Sequence, residues 1–395
     1  MIDPAALARH YSRFRVSERI LLTGHAHQAW PDVAFEAQQQ AWLDAAEHVD
    51  GKWNFAAEQA GRVQEGFAAL LGDSPAHIAL GQNTHELVVR WVSALPLQDR
   101  RQIVTTDGEF GSWRRQADRL AEEPLEIARV HARPAETLAE RLAAVISDRT
   151  AGVVVSSVLF DTAEIIPHLD VVAARCDRLG VQLLVDAYHH LNVVPFDISA
   201  LGLERAFITG GGYKYCQLGE GNAFLRVPPG LELRPVITGW FADPGLETPD
   251  APRLGSGVSY AAGARAFAGA TYDPASHYRA AAVFAFHQRE ALNAEQLRAT
   301  SRRQVKLLRE EFEGLDVDPR IAHVEPMPDE RRGGFLALRT ARGVAVAAAA
   351  RQRGLFVDAR GAFLRVGPAP YVTDQQLRDG IAIIGRLLRE AGHPG

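Results

Sequence analysis

The chain has 395 residues, 47% hydrophobic and 23% charged, with a formal net charge of -5. That length exceeds one ordinary domain, and the balance excludes both a disordered chain and a basic nucleic-acid binder. Two cysteines, Cys176 and Cys216, exclude a disulfide framework, and no apolar run approaches the ~18 residues of a membrane helix, so a cytoplasmic enzyme is expected.

The stretch holding Arg9, His10, Arg13 and Arg15 reads as a helix without the apolar core of a signal peptide. A second helix is predicted from Asn83. Its spacing to Glu86 is that of a capping box, and Leu87, Val88 and Trp91 follow on one face. Strands are predicted at Gln102–Thr106, Gly152–Val158, Val181–Asp186, Ala206–Thr209 and Asn222–Val227. Several are nearly continuous apolar runs, as in strands covered on both faces of a mainly parallel sheet. Between them a helix over Ile166–Leu179 is expected to stop at Gly180. Residues 227–257, rich in Pro and Gly, read as a long irregular connection. Then come helices at about Pro274–Leu292 and Ala294–Glu313, a strand at Phe335–Arg339, a helix at Val344–Arg353 and a strand at Phe363–Val366. A last helix is capped by Thr373 with Gln376. The alternation argues for an α/β protein.

The chemistry is concentrated at two strand ends. In Val185-Asp186-Ala187-Tyr188-His189-His190 an apolar strand ends in an acid. In Thr209-Gly210-Gly211-Gly212-Tyr213-Lys214-Tyr215 a strand runs through glycines into a lysine. Ligands of open α/β sheets lie at the carboxyl ends of strands, and glycines let backbone approach them. A fixed, partly desolvated lysine can form an imine with an aldehyde, and an aspartate can keep a pyridine nitrogen protonated. Pyridoxal 5′-phosphate (PLP) lying across the sheet edge needs both.

With these residues the chain resembles the class V aminotransferase group of fold type I PLP enzymes, and within it kynureninase. The densest similarity is Gly211-Gly212-Tyr213-Lys214-Tyr215 with Gly219, Gly221 and Ala223-Phe224-Leu225; Thr238-Gly239-Trp240-Phe241 is similar to a Ser-Gly-Trp-Phe segment of that family. The resemblance implies an N-terminal segment at the active-site entrance (1–50), a large PLP-binding domain with a mainly parallel seven-stranded sheet (51–275), and a smaller α/β C-terminal domain (276–395). It also implies a homodimer with shared active sites. It makes Lys214 the Schiff-base lysine, Asp186 the partner of the pyridine nitrogen and Phe110 the side chain stacked on the ring. Asn83 and Thr84 fall at the cofactor phosphate, where a helix start favours an anion. Tyr213 and Trp240 match further phosphate contacts, and Tyr213 is also a candidate proton relay. Thr271 resembles a phosphate contact supplied by the neighbouring subunit. Arg365 matches the fork for the substrate carboxylate. His189 is read either as a partner of Asp186 or the cofactor, or as a packed structural residue.

Three segments depart from the kynureninase pattern. Gly24-His25-Ala26-His27-Gln28-Ala29-Trp30-Pro31 stands where Gly-Asn-Ser-Leu-Gly is usual. Gln217 and Gly219-Glu220-Gly221 replace Asn and Gly-Pro-Gly, and Phe160-Asp161-Thr162-Ala163 replaces Tyr-Arg-Thr-Gly. All three belong to the substrate side. His25 and His27 are assigned to the substrate pocket and not to a metal, since no Cys or carboxylate cluster completes a tetrahedral site. The expected reaction is kynureninase-like hydrolysis of the Cβ–Cγ bond of kynurenine or a related β-acyl amino acid. Alternatives in the same fold are β-elimination or C–S lysis, epimerisation and transamination. A cysteine desulfurase ranks low, because it needs a cysteine past the lysine and none follows Cys216. A non-catalytic scaffold is argued against by Lys214 and Asp186.

Overall fold

The computed structural model describes residues 2–246 and 257–390. Asp3 caps α1 (Pro4–Ala8) by accepting the N–H groups of Ala5 and Ala6. The expected N-terminal helix is broken there. Arg9–Phe14 continues as a 3-10 turn, with Tyr11 off helical angles, and Arg15 ends it in the left-handed region. β1 (Ile20–Leu21), α2 (Val33–His48) and α3 (Lys52–Leu71) follow.

From here strands and helices alternate. They are β2 (Ile78–Gly81), α4 (Thr84–Ser93), β3 (Gln102–Thr106), α5 (Gly111–Leu120), β4 (Glu126–Val130), α6 (Leu138–Val145), β5 (Thr150–Ser156), α7 (Leu169–Leu179), β6 (Gln182–Asp186), β7 (Phe207–Gly211) and β8 (Ala223–Arg226). The strands form one seven-stranded sheet in the order β2-β8-β7-β6-β5-β3-β4. β4, β3, β5, β6 and β7 are parallel, while β8 runs against both its neighbours. This is the mainly parallel, seven-stranded α/β sheet that the sequence resemblance implies. β3, β5, β7 and β8 are buried along their whole length, because helices cover both faces. On one face Val153, Val155, Val185, Ile208 and Phe224 pack with Phe67 of α3; on the other, Val154, Leu184, Phe207 and Leu225 pack with Leu87 and Trp91 of α4. α7 begins at Leu169 and not at Ile166, because His168 takes φ +60 and breaks the turn; Gly180, at φ +61, closes it as expected.

The connection after β8 is irregular as predicted, with 3-10 turns at Trp240–Ala242 and Pro244–Leu246; its part at 247–256 lies outside the described residues. α8 (Ala275–Arg289) and α9 (Ala294–Glu313) lead to β9 (His323–Val324), β10 (Leu336–Arg339), α10 (Gly343–Arg351), β11 (Leu355–Phe356), β12 (Asp358–Arg360), β13 (Phe363–Val366) and α11 (Asp374–Glu390). β12-β13-β10-β9 form an antiparallel sheet, and β11 pairs in parallel with β1. The predicted cap of α11 is present: Gln376 N donates to Thr373 Oγ1 at 3.3 Å and Thr373 N donates to Gln376 Oε1 at 3.0 Å. α8 supplies Phe284 to the core of the large sheet and Phe286 to the C-terminal core. That second core also buries Leu7, Tyr11 and Leu22 from the start of the chain. No helix among the described residues is long and apolar enough to cross a membrane.

Candidate active site

The chain leaves β3 toward β4 on one side and returns as β5 on the other. This reversal opens a crevice at the carboxyl ends of the strands, where open α/β sheets bind ligands. A cavity of about 300 Å³ lies at this edge, and Asn83, Thr84, Phe110, Asp186, His189, Tyr213 and Lys214 all line it. Residues far apart in sequence, predicted one by one, thus meet in one place.

Lys214 follows β7 through a tight glycine turn. A Cβ on Gly211 would lie 2.5 Å from the Tyr188 hydroxyl, so any larger residue would push the Tyr188 ring aside. The lysine is 6% exposed. Its Nζ stands 2.8 Å from His189 Nε2, and 4.2 Å and 5.5 Å from the ring centroids of Tyr188 and Phe110. Burial pulls the Lys214 ammonium from 10.5 down to about 7; Asp186 opposes that fall and Arg365 adds to it. His189 meets the lysine and not Asp186. Burial, and then the charge of Lys214, hold its imidazole well below the usual range, so it stays neutral. Facing an amine donor, Nε2 is the acceptor, which places the proton on Nδ1; that atom is buried and has no partner among the described residues.

Asp186 ends β6, and its Oδ1 accepts the Tyr188 N–H at 2.8 Å. Burial lifts its carboxyl above the ordinary value, while the Tyr188 N–H and the Lys214 charge work against the rise. Asn83 begins α4, accepting Glu86 N–H at 3.0 Å; Glu86 reaches back to Gln82 N and not to Asn83 N, so the capping box is offset by one residue. The first turn of α4 faces the cavity and offers an anion its N–H groups and dipole.

These features fit PLP. The helix start suits a phosphate, Phe110 supplies an aromatic wall, Asp186 a carboxylate for a ring N–H, and Lys214 an amine that is about half uncharged at pH 7. Among the described residues no group of three or more His, Cys, Asp or Glu side chains could hold a metal ion.

The substrate-side residues fall into two sets. Arg365 is 4% exposed on β13. Its Nε donates to Asp358 Oδ1 at 3.0 Å, its Nη2 to Asp358 Oδ2, and its Nη1 to the carbonyl of Phe160 at 2.5 Å. The fork predicted to take a substrate carboxylate therefore holds a protein carboxylate. His25 is fully buried behind it, 2.7 Å from Asp358, and does not line the cavity. Burial, with Arg365 adding to it, lowers its imidazole to about 4, so it is a neutral donor to Asp358. Burial works against the charge of Asp358, but the hydrogen bonds from His25 and Arg365 outweigh it and hold the carboxyl well below its ordinary range.

His27 and Glu220 form the second set. His27 stacks on Tyr213 with centroids 5.0 Å apart, and its Nδ1 lies 3.3 Å from Glu220 Oε1. Glu220 lines the cavity and His27 is exposed. Two of the departures from the family pattern thus meet, His27 pairing with Glu220, while Phe160 of the third is joined to Arg365. Gln217 turns away, accepting from the Tyr11 hydroxyl at 2.5 Å and donating to Gln28 at 2.7 Å.

Trp240 and Thr271 do not line this cavity. Trp240 is 53% exposed, and its Nε1 donates to Thr271 Oγ1 at 3.3 Å. The two side chains form one surface patch, so Trp240 stands with the residue predicted to serve a neighbouring subunit. Phe160 and Glu220, from segments read as belonging to the substrate side, line the cavity; the sequence reading missed Ser156 as a cavity residue and Asp358 and Glu109 behind the wall. Glu109 directly precedes the singled-out Phe110 in the chain; nothing in sequence pairs Asp358 with Arg365.

Residues 297–384 match the kynureninase C-terminal domain family. The chain is 28% identical over 191 residues to isopenicillin N epimerase of Streptomyces clavuligerus, covering 46% of this chain and 47% of that protein. It thus spans about half the length of that relative. It is 24% identical over 358 residues to the uncharacterized aminotransferase YcbU of Bacillus subtilis (strain 168), covering 87% of each. Among solved structures, the cystine C–S lyase C-DES in complex with cysteine persulfide superposes with a TM-score of 0.80 at 18% identity, over 94% of this chain and 98% of that one. The apo cysteine desulfurase from Thermococcus onnurineus NA1 gives 0.81 at 16% identity, over 99% of each. The fold is that of fold type I PLP-dependent enzymes, and the comparisons support the class V group.

Proposed function

We propose that this chain is a PLP-dependent enzyme acting on an amino acid, with kynureninase-like hydrolysis of the Cβ–Cγ bond of a β-acyl amino acid as its reaction. The observation that carries the reading is the buried, readily deprotonated Lys214 amine in one cavity with Asp186, Phe110 and a helix start. The similarity of residues 297–384 to the kynureninase C-terminal domain supports the choice of reaction.

When bound, PLP supplies an aldehyde that captures amines and a protonated ring that draws electrons from the substrate Cα. Asp186 keeps the ring nitrogen protonated. The start of α4, with Asn83 and Thr84, holds the phosphate; Tyr213 is a further phosphate contact. Phe110 covers one face of the ring. Lys214 Nζ would be the amine that anchors the cofactor and the base for the substrate Cα proton, a task that a pKa near neutrality suits. His189 accepts from that amine and orients it. Tyr213 stays a neutral hydroxyl, raised by burial and then by Asp186, and can relay a proton. Arg365 receives the substrate carboxylate once Asp358 gives way. In a homodimer the Trp240–Thr271 patch reaches the phosphate of the partner's cavity.

The test is an absorption spectrum of the purified protein with PLP, followed by kynurenine and 3-hydroxykynurenine. A visible cofactor band and release of fluorescent anthranilate support the proposal. A band without anthranilate retains PLP and sends the search to β-elimination, epimerisation or transamination of other β-substituted amino acids. No band after adding PLP overturns the reading.

A further inference from the structure

One buried acid at the sheet edge has no part in this scheme. Glu109 is 1% exposed, and among the described residues its hydrogen-bond partners are the uncharged Thr106 and Ser156. An acid is costly to bury without a cation, so its retention asks for a reason.

The reason lies in how β3 and β5 end. Their pairing shifts register once, between Gln102 and Ile103, and reaches only as far as Val104 opposite Val153. Past that point side chains take over from the backbone ladder. Thr105 Oγ1 donates to the Val154 carbonyl at 3.0 Å, and Trp113 Nε1 donates to Thr105 Oγ1 at 2.8 Å. Beyond them Glu109 spans both strands. Its Oε1 accepts the Thr106 hydroxyl at 2.7 Å and the Ser156 N–H at 3.2 Å, and its Oε2 lies 2.6 Å from Ser156 Oγ. Thr106 is the last residue of β3 and Ser156 the last of β5. Ser156 is also the register partner of Asp186. Phe110 follows Glu109 directly and begins α5. The side chain therefore crosses the crevice at the point where the sheet topology reverses, joined by the chain to Phe110 and through Ser156 to Asp186.

We propose that Glu109 is a positioning residue that ties the diverging ends of β3 and β5 and so sets the gap between Phe110 and Asp186 in which a planar ring is held. The proposal rests on the PLP reading above. Burial raises the Glu109 carboxyl to about 7, with Ser156 and Thr106 opposing and Asp186 adding to the rise. The tie needs an acceptor for the Ser156 N–H and a partner for Ser156 Oγ, which a neutral amide also provides.

The experiment titrates cofactor-free wild type, Glu109→Gln, Glu109→Ala and Thr106→Val with PLP, reading affinity and the circular dichroism of the bound cofactor. Glu109→Gln is expected to bind within about threefold of wild type with the same dichroism, and Glu109→Ala at least about tenfold more weakly with an altered signal, the scale of one lost buried hydrogen bond. Thr106→Val falls between them. Glu109→Ala binding like wild type overturns the proposal. So does Glu109→Gln binding as weakly as Glu109→Ala, which would make the charge, and not the tie, the requirement. If far-UV dichroism shows Glu109→Ala unfolded, Thr106→Val decides: unchanged affinity refutes the tie and weakened affinity supports it. Wild type that binds no PLP overturns the cofactor reading itself.

Discussion

Replacing Lys214 by methionine in the cofactor-free protein should make it more stable, although the residue is the centre of the proposed chemistry. A lysine that ordinarily ionises at 10.5 is brought to about 7 by burial. Between those values the unfolded chain binds a proton that the folded chain has released. Stability therefore rises with pH across this window, and the full cost of enclosing the amine persists below it. That cost is on the order of 4 kcal/mol at pH 7 and about 2 kcal/mol at pH 9. Methionine keeps an unbranched side chain one atom shorter and removes the titration. The variant loses the 2.8 Å contact with His189, which subtracts about 1 kcal/mol. The net gain is then ~3 kcal/mol at pH 7, shrinking to ~1 kcal/mol at pH 9. Urea unfolding at both pH values, followed by tryptophan fluorescence, measures it. Equal stability at pH 7, or a gap that does not narrow at alkaline pH, would refute the claim that Lys214 is held uncharged by burial.

Arg365→Ala should leave PLP binding intact and raise KM for the amino acid at least about tenfold, because a paired carboxylate contact is lost; an unchanged KM removes Arg365 from the substrate site. Lys214→Ala and Trp240→Ala protomers, each inactive, should on mixing recover about a quarter of wild-type turnover if Trp240 serves the partner's cavity. Activity no higher than the sum of the two separate samples would refute a contribution of Trp240 to the partner's cavity. Thr373→Ala, which removes the hydroxyl capping α11, should cost about 1 kcal/mol in unfolding free energy without changing PLP affinity.

The parts of the fold visible in the sequence are those where local pattern and burial agree. β3 and β13 fall at their predicted bounds because every residue in them is enclosed and each holds adjacent apolar residues. β4 escapes because it is an edge strand with a partly exposed face, and α2 escapes because its outer side carries exposed Trp42 and Leu43. Lys214 and Asp186 are legible since Asp186 closes an apolar strand and Lys214 follows the next strand through a run of glycines. The residues behind them were not. Glu109 takes its meaning from Ser156, 47 positions away, and His25 from Asp358, 333 positions away. Neither distance leaves a trace in local spacing. His25 looked like a pocket residue because two histidines flank one alanine; only the packing under Arg365 shows that one is enclosed and the other at the rim.

The union of β1 with β11, and of Leu7, Tyr11 and Leu22 with Leu364, Leu377 and Ile384, has a consequence for how the molecule is made. On the ribosome these first apolar side chains emerge long before the residues that cover them. They wait, wetted, while the whole large sheet is synthesised. A chain cut short before Phe363 exposes an oily stretch at both of its ends at once, a signal that chaperones and proteases can read as unfinished work.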